Sequence, residues 1–309
     1  MISIEKNKVE KIIQLHKVEL DEFQQKSLLK LKKFGKENSL NQESRNFLNA
    51  ILKEFSKENF LTVDNSNFSE IVRKIGVVPK YQKKFHNKSK ISSFKDEILN
   101  ALNYKGLRGS FFPTCFKQLD IKACVYCNSQ LTLSVEKLDG EISAKFQLDH
   151  YYPKDQYPYL SIAFFNLYPV CASCNLSKSN NLINFVLYDD SLIDKFNFEI
   201  EKQSVVKFLL SRDVKDLKII FTGDSVFERV FSINAIYDTQ KDIAEEVITK
   251  HLIYNDSYRK DLKFKFSKNK ISDSLINRYI LGNYVEKSEI HKRPMSKFMQ
   301  DIGKDIGLI

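Results

Sequence analysis

Apolar residues recur every three or four positions along most of this chain, with Lys, Glu, Gln and Asn between them. Over residues 4–33, Ile12, Ile13, Leu20, Phe23, Leu28 and Leu31 fall at helical spacing and predict a long amphipathic helix. The same spacing predicts helices over 42–55 and 68–75, the second stopped by Gly76 and Pro79. Ser93 and Asp96 form the pattern of a capping box ahead of Ile98, Leu99 and Leu102, with Gly106 and Gly109 ending that helix. The texture then changes. Residues 130–135 alternate apolar and polar positions, Asp139-Gly140 is a hairpin-turn pair, and 142–148 forms the returning strand. Short helices are expected at 160–165 and from 174 to 180. Helical spacing returns from about residue 184, for example over 243–254 and 272–284. The expected fold class is α+β and mostly α-helical, with a helical segment over 1–105, a central module over 106–185 and a second helical segment over 186–309.

Composition narrows the class only modestly. Hydrophobic residues at 42% and charged residues at 28% fit an ordinary globular protein with a sizeable core. The most apolar stretch, 160–171, is broken by Asn166 and Pro169 and is too short to cross a bilayer, so no membrane association is expected. The first residues, Met-Ile-Ser-Ile-Glu-Lys, lack a basic segment followed by an apolar run, and a cytoplasmic location is the default expectation. A net charge of +10 suits a polyanionic partner. Of the 49 basic residues 41 are Lys, a bias that an AT-rich coding sequence would also produce. The lysine-rich stretches 80–90 and 260–270 read equally well as phosphate-contacting strips and as solvated faces.

Cysteine placement carries more information. Cys124/Cys127 and Cys171/Cys174 are two Cys-x-x-Cys pairs separated by 43 residues. Each pair sets two thiolates on one turn, and together they predict a closed, tetrahedral, structural zinc site. The gap exceeds that of a simple zinc ribbon, and an inserted hairpin accounts for the excess. Cys115, the fifth cysteine, reads as a buried core thiol.

Between the pairs lies Leu148-Asp149-His150-Tyr151-Tyr152-Pro153-Lys154, and the second pair runs into Asn175 and Lys178. Hydrolysis of a phosphodiester needs an activated water and a cation to stabilise developing charge. A neutral imidazole can take the proton near pH 7, and hard Mg²⁺ needs only one or two oxygen ligands besides water. His150, Asp149 and Asn175 are the minimum set. Neighbouring residues on a regular strand face opposite sides, so for Asp149 and His150 to share a site the strand must end or bulge there.

The order Cys-x-x-Cys, Leu148-Asp149-His150-Tyr151-Tyr152-Pro153-Lys154, Asn166-Leu167-Tyr168-Pro169-Val170-Cys171-x-x-Cys174-Asn175-x-x-Lys178 resembles the zinc-bearing HNH endonucleases, over about residues 120–182. The resemblance implies a ββα-metal module around one divalent cation, Mg²⁺ or Mn²⁺, acting on DNA, duplex or single-stranded. By position His150 would be the general base, with Asp149 and Asn175 the cation ligands. Asn166 would be the residue that pins the loop and orients the base, and Lys178 would meet a phosphate. Tyr157-Pro158-Tyr159-Leu160 and the stretch from Ile290 to Phe298 further resemble nucleases of the Septu anti-phage defence type, which implies a partner ATPase. Blander readings stand beside these: a hydrogen-bonded structural His150, helix-capping roles for Asn166 and Asn175, and solvated Lys154 and Lys178. His16, His86, His251 and His291 lack a motif and read as surface or packing residues. The functional alternative is a zinc-stabilised nucleic-acid-binding or protein-docking module without catalysis.

Overall fold

The computed structural model describes residues 1–80, 85–87, 90–189, 195–267 and 270–309. It is mostly helical (57%), with small antiparallel strand pairs, an α+β architecture. No helix among the described residues is long and apolar enough to cross a membrane.

The expected helix over 4–33 is two helices, α1 (Lys6–Leu15) and α2 (Lys17–Glu37), broken at His16. Leu15 and Val18 both face solvent, whereas Ile12 and Leu20 are buried. The apolar stripe therefore changes direction at His16, and the chain turns there to keep both halves on the core. On α2 the inward face includes Gln24. Its amide donates to the carbonyls of Phe55 (2.6 Å) and Glu58 (2.9 Å), and its oxygen accepts from Phe60 N (3.0 Å), which satisfies a buried polar group. Helix α3 (Gln42–Glu54) is capped by Asn41, and α4 (Phe68–Ile75) ends at Gly76, whose φ of +82° favours glycine. The Ser93/Asp96 capping box is present at the start of α5 (Phe94–Ala101). That helix stops at Leu102 rather than at the glycines, which instead lie in α6 (Tyr104–Gly109), followed by α7 (Phe111–Gln118). Strands β1 (Phe85–Asn87) and β2 (Lys90–Ser92) form a short hairpin ahead of α5.

The central hairpin differs from expectation in one consequential way. Residues 142–148 do not make a single returning strand. β3 (Leu133–Glu136) pairs with β4 (Ile142–Lys145), and after Phe146 the chain joins a separate pair, β5 (Gln147–His150) with β6 (Leu167–Val170). α7 covers the first pair and α8 (Ala172–Lys178) packs on β5. Where short helices were expected over 160–165 there are only 3₁₀ turns, at Pro158–Leu160 and Phe164–Asn166.

Beyond residue 186 the chain is not wholly helical. β7 (Asn197–Ile200) and β8 (Ile219–Thr222) pair around α9 (Lys202–Ser211). There follow α10 (Ser225–Phe231), α11 (Ile233–Asp238), α12 (Lys241–Ile253), α13 (Asp256–Ser267), α14 (Asp273–Leu281) and α15 (Ser296–Asp305). α15 packs on β7 and α12. Its buried Asp301 accepts from Phe198 N (3.0 Å) and from Lys297 Nζ (2.6 Å).

The first residues and the last helix both close on the centre. Ile2 N donates to Val125 O (3.1 Å), and Ile4 N to Leu187 O (2.8 Å). Asn128, left-handed at φ +54° directly after Cys127, is gripped from the other end. Its side chain donates to Ile290 O (3.2 Å) and accepts from Lys297 N (2.9 Å), and its carbonyl accepts from Met295 N (2.6 Å). His291 O receives Lys122 N (2.8 Å) and Ala123 N (3.1 Å). The stretch from Ile290 to Phe298, singled out in the sequence, thus braces the first cysteine pair. Asn128→Ala is expected to lower stability by about 2–3 kcal/mol, because buried partners are left unsatisfied. Asn128→Gly, which keeps the backbone angle, should cost nearly as much in urea denaturation. A Gly variant within about 0.5 kcal/mol of wild type would assign the effect to backbone conformation instead.

Candidate metal centre and adjoining polar cavity

Cys124 and Cys127 sit on a tight turn closed by Asn128 N to Cys124 O (2.8 Å), and Cys124 N also donates to Gln130 O (2.9 Å). The second pair arrives on β6. Cys171 is the residue preceding α8, and Cys174 lies in its first turn. The four sulfurs lie within 4.8 Å of one another and all four residues are buried. A tetrahedral zinc with bonds of about 2.3 Å needs sulfurs about 3.8 Å apart, which lies within that bound. Two of the sulfurs accept hydrogen bonds: Cys171 N donates to Cys124 Sγ (3.3 Å) and Ser129 Oγ to Cys127 Sγ (3.2 Å). Hydrogen bonds with Cys124 pull the Cys127 thiol down to about 7 and hold Cys171 well below the ordinary thiol range, whereas burial holds Cys124 above it and the hydrogen bond with Cys124 holds Cys174 above it. Four buried cysteines assembled in this way can hold a metal ion such as zinc, whose binding releases the remaining thiol protons. Cys115 stands apart from the cluster in α7, and burial pushes its thiol up to about 12.

One strand pair away, the sequence-predicted residues meet around a cavity of about 180 Å³. Its lining includes Asp149, His150, Lys154, Asp155 and Asn175. Asp149 and His150 are the last two residues of β5, opposite Tyr168 and Leu167 of β6 in a regular ladder, and both line the cavity. Asp149 points towards the cysteine module, where Tyr126 Oη donates to its Oδ2 (2.5 Å). His150 faces the other way. Its Nε2 lies 3.1 Å from the carbonyl of Ser161, and a carbonyl only accepts, so Nε2 carries the hydrogen and Nδ1 keeps the lone pair. The ring lies 5.6 Å from that of Tyr104. Burial, with Lys154 nearby, lowers the imidazole to about 3, so it is neutral at physiological pH.

Asn166 is fully buried and holds the intervening loop from both sides. Its Oδ1 accepts from Tyr152 N (2.7 Å), and its Nδ2 donates to Tyr152 O (3.2 Å) and Leu160 O (2.9 Å). The second of these fixes the residue next to Ser161, so Asn166 acts on His150 through the loop, its hydrogen bonds going to main-chain groups. The Tyr157-Pro158-Tyr159-Leu160 motif lies in the same loop. Tyr159 and Leu160 are buried, and Tyr159 Oη donates to Gly76 O (2.9 Å). Nothing in the sequence marked Ser161 or Tyr126, because one contributes a backbone carbonyl and the other is a tyrosine inside a cysteine knuckle.

Asn175, on α8, turns its Nδ2 to Gln147 Oε1 (2.5 Å), leaving its own oxygen for the cavity. Asp149 has Oδ1 to offer, where Lys178 Nζ comes no closer than 3.4 Å. A carboxylate oxygen and an amide oxygen beside room for water suit a hard divalent cation that keeps most of its hydration. Lys178 departs from expectation. It is wholly buried, not at the surface where a phosphate would reach it, with Nζ 3.1 Å from Asp149 Oδ2 and 2.8 Å from His150 O. The helical period that puts it on the face of Asn175 also turns it under β5. Lys154 lines the cavity in its place.

Of the other singled-out groups, His16 packs edge-on against Phe111 and His291 is buried, lowered to about 4 chiefly by burial. His251 is partly buried, and the side chain of His86 lies outside the described set. Most of the lysine-rich stretch 80–90 lies outside the described residues, as does Lys268 of 260–270. No family model, curated protein or solved structure matches this chain.

Cys171→Ser should yield protein that retains less than one equivalent of zinc per chain by elemental analysis and loses its cooperative unfolding transition. Full zinc content with an unchanged transition would remove the cluster from the folding account.

Proposed function

We propose that this protein is a metal-dependent endonuclease of the HNH type that hydrolyses phosphodiester bonds in DNA. The observation that carries the reading is His150: a buried imidazole whose Nε2–H is committed to the Ser161 carbonyl, beside a cavity lined by two candidate cation ligands. A base held in one tautomer takes a proton at Nδ1 without reorganising, and the Nε2–H···O=C bond strengthens as the ring becomes charged. The order of the elements supports the same reading. β5 carries the base and one ligand, β6 returns beside it, and α8 presents Asn175 across the cavity. A divalent cation held by Asp149 and Asn175 would supply charge stabilisation for the phosphate and leaving oxygen. Asn166 keeps the loop, and with it the ring, in place. Lys154 is the residue positioned to attract a phosphate. The bacterial defence setting and the partner ATPase rest on the sequence resemblance alone, since both stretches that carry it serve as internal braces.

The test is incubation with plasmid and single-stranded DNA in Mg²⁺ or Mn²⁺. His150→Ala is expected to reduce cleavage by about 10²–10⁴-fold while preserving fold and zinc content. Undiminished cutting by His150→Ala would end this mechanism. DNA binding that Asp149→Ala and Asn175→Ala leave intact, with no cutting by the wild-type chain in either metal, would favour the binding-module reading.

The low value for His150 sets a pH signature. The base is active when neutral, and with its folded-state value at about 3 it is neutral throughout the range above about pH 5. kcat/KM, which reports the free enzyme, should therefore show no ascending limb between pH 5.5 and 7.5, taken as rough bounds. An ascending limb centred near the ordinary value of about 6.5 would place the catalytic proton on a normally solvated histidine.

A further inference from the structure

Asp149 is already matched by a positive charge belonging to the protein. Lys178 Nζ lies 3.1 Å from Oδ2 and 3.4 Å from Oδ1, Tyr126 Oη donates to Oδ2, and a third bond from Nζ to His150 O anchors the amine beneath the strand. The lysine is 0% exposed, so it cannot swing into solvent to make way for another cation. The other carboxylate lining the cavity, Asp155, is paired with Lys95 at 2.6 Å. Asn175 is neutral, and Lys154 adds a positive charge. Lys154 is the lysine in the walls, but with Lys178 and Lys95 paired behind the two carboxylates the lining and its immediate partners carry no net negative charge. A divalent ion would meet oxygen lone pairs there but no net attraction, whereas Mg²⁺ and Mn²⁺ sites ordinarily carry uncompensated carboxylates. The missing negative charge is what a phosphodiester brings.

We propose that Lys178 makes cation binding conditional on nucleic acid, so that a divalent ion is held at Asp149 and Asn175 only together with a phosphodiester anion. The inference rests on the nuclease reading and gives it a control: the chain alone holds little metal, and the substrate completes the site. Lys178 is then a positioning residue, acting through the charge of Asp149 without reaching the substrate. Linkage requires the effect to be mutual, so Mn²⁺ must tighten DNA binding by the factor by which DNA tightens Mn²⁺ binding.

The experiment uses the full zinc-loaded chain carrying His150→Ala, so that DNA is not consumed, with Mn²⁺ followed by electron paramagnetic resonance. Asp149→Asn in the same background, with and without oligonucleotide, provides the baseline for ions held elsewhere or on DNA. A short single-stranded or duplex oligonucleotide is expected to tighten Mn²⁺ binding at least about tenfold, within the usual range of coupling between sites. Lys178→Met in that background should bind Mn²⁺ without DNA and lose most of the coupling. Should Lys178→Met fail to fold, the His150→Ala chain still decides the matter through its DNA affinity with and without Mn²⁺. Tight Mn²⁺ binding that DNA leaves unchanged would overturn the inference, as would coupling that survives in a folded Lys178→Met chain. Mn²⁺ bound at Asp149 in neither condition would overturn it together with the metal-dependent reading. Coupling in the His150→Ala chain with no cleavage by the wild-type chain would sink the nuclease reading alone.

Discussion

The convergence of four thiols from two distant turns is the constraint on which the rest of the structure depends. Cys124 and Cys127 belong to a turn that precedes β3, and Cys171 and Cys174 to the junction of β6 and α8. Bringing their sulfurs together fixes both ends of a 43-residue excursion, and everything inside it is positioned by that closure. Tyr126 lies within the first turn and α8 grows from the second. The two groups that hold Asp149, the phenol and the Lys178 amine, are therefore delivered by the two halves of the cysteine cluster. Shape at the thiols becomes charge at the carboxylate.

A second tier of buried polar residues carries that order outward. Asn128 binds the knuckle to the stretch before and into α15, Asn166 fixes the loop that ends at Ser161, and Gln24 joins α2 to the turn after α3. Each has its hydrogen-bonding capacity met mostly by main-chain groups, which ties segments in one geometry as apolar contact does not. The helical flanks are in this sense part of the site. The N-terminal segment supports the loop through Gly76 and Tyr159, and the C-terminal segment supports the knuckle through Asn128.

Legibility varied with the kind of signal. Helices bounded by strong punctuation, such as α4 with Gly76 and α5 at its start, were readable because caps and stops are local chemistry, whereas the spacing over 272–284 overruns the end of α14 at Gly282. The split at His16 and the β7–β8 pair were not readable. The first depends on where the core lies and the second on a partner strand about twenty residues away. The run over 142–148 divides for a related reason. Local alternation marks extended chain, but which strand it joins is decided by β6, and that choice divides the run at Phe146.

The sequence by itself determined which chemical groups are available: four thiols in two turns, a histidine next to a carboxylate at a strand end, and two asparagines at fixed distances from a cysteine pair. Residue type and short spacing are enough for this, because they act within a turn or two of backbone. Only the tertiary structure decided how those groups are partnered. Lys178 lies buried against Asp149, Asn166 works through a backbone carbonyl, and the motifs at 157–160 and 290–298 face inward as braces. A side chain's charge is written in the sequence. The counter-charge that meets it is set by burial and long-range packing, in which every segment of the chain takes part.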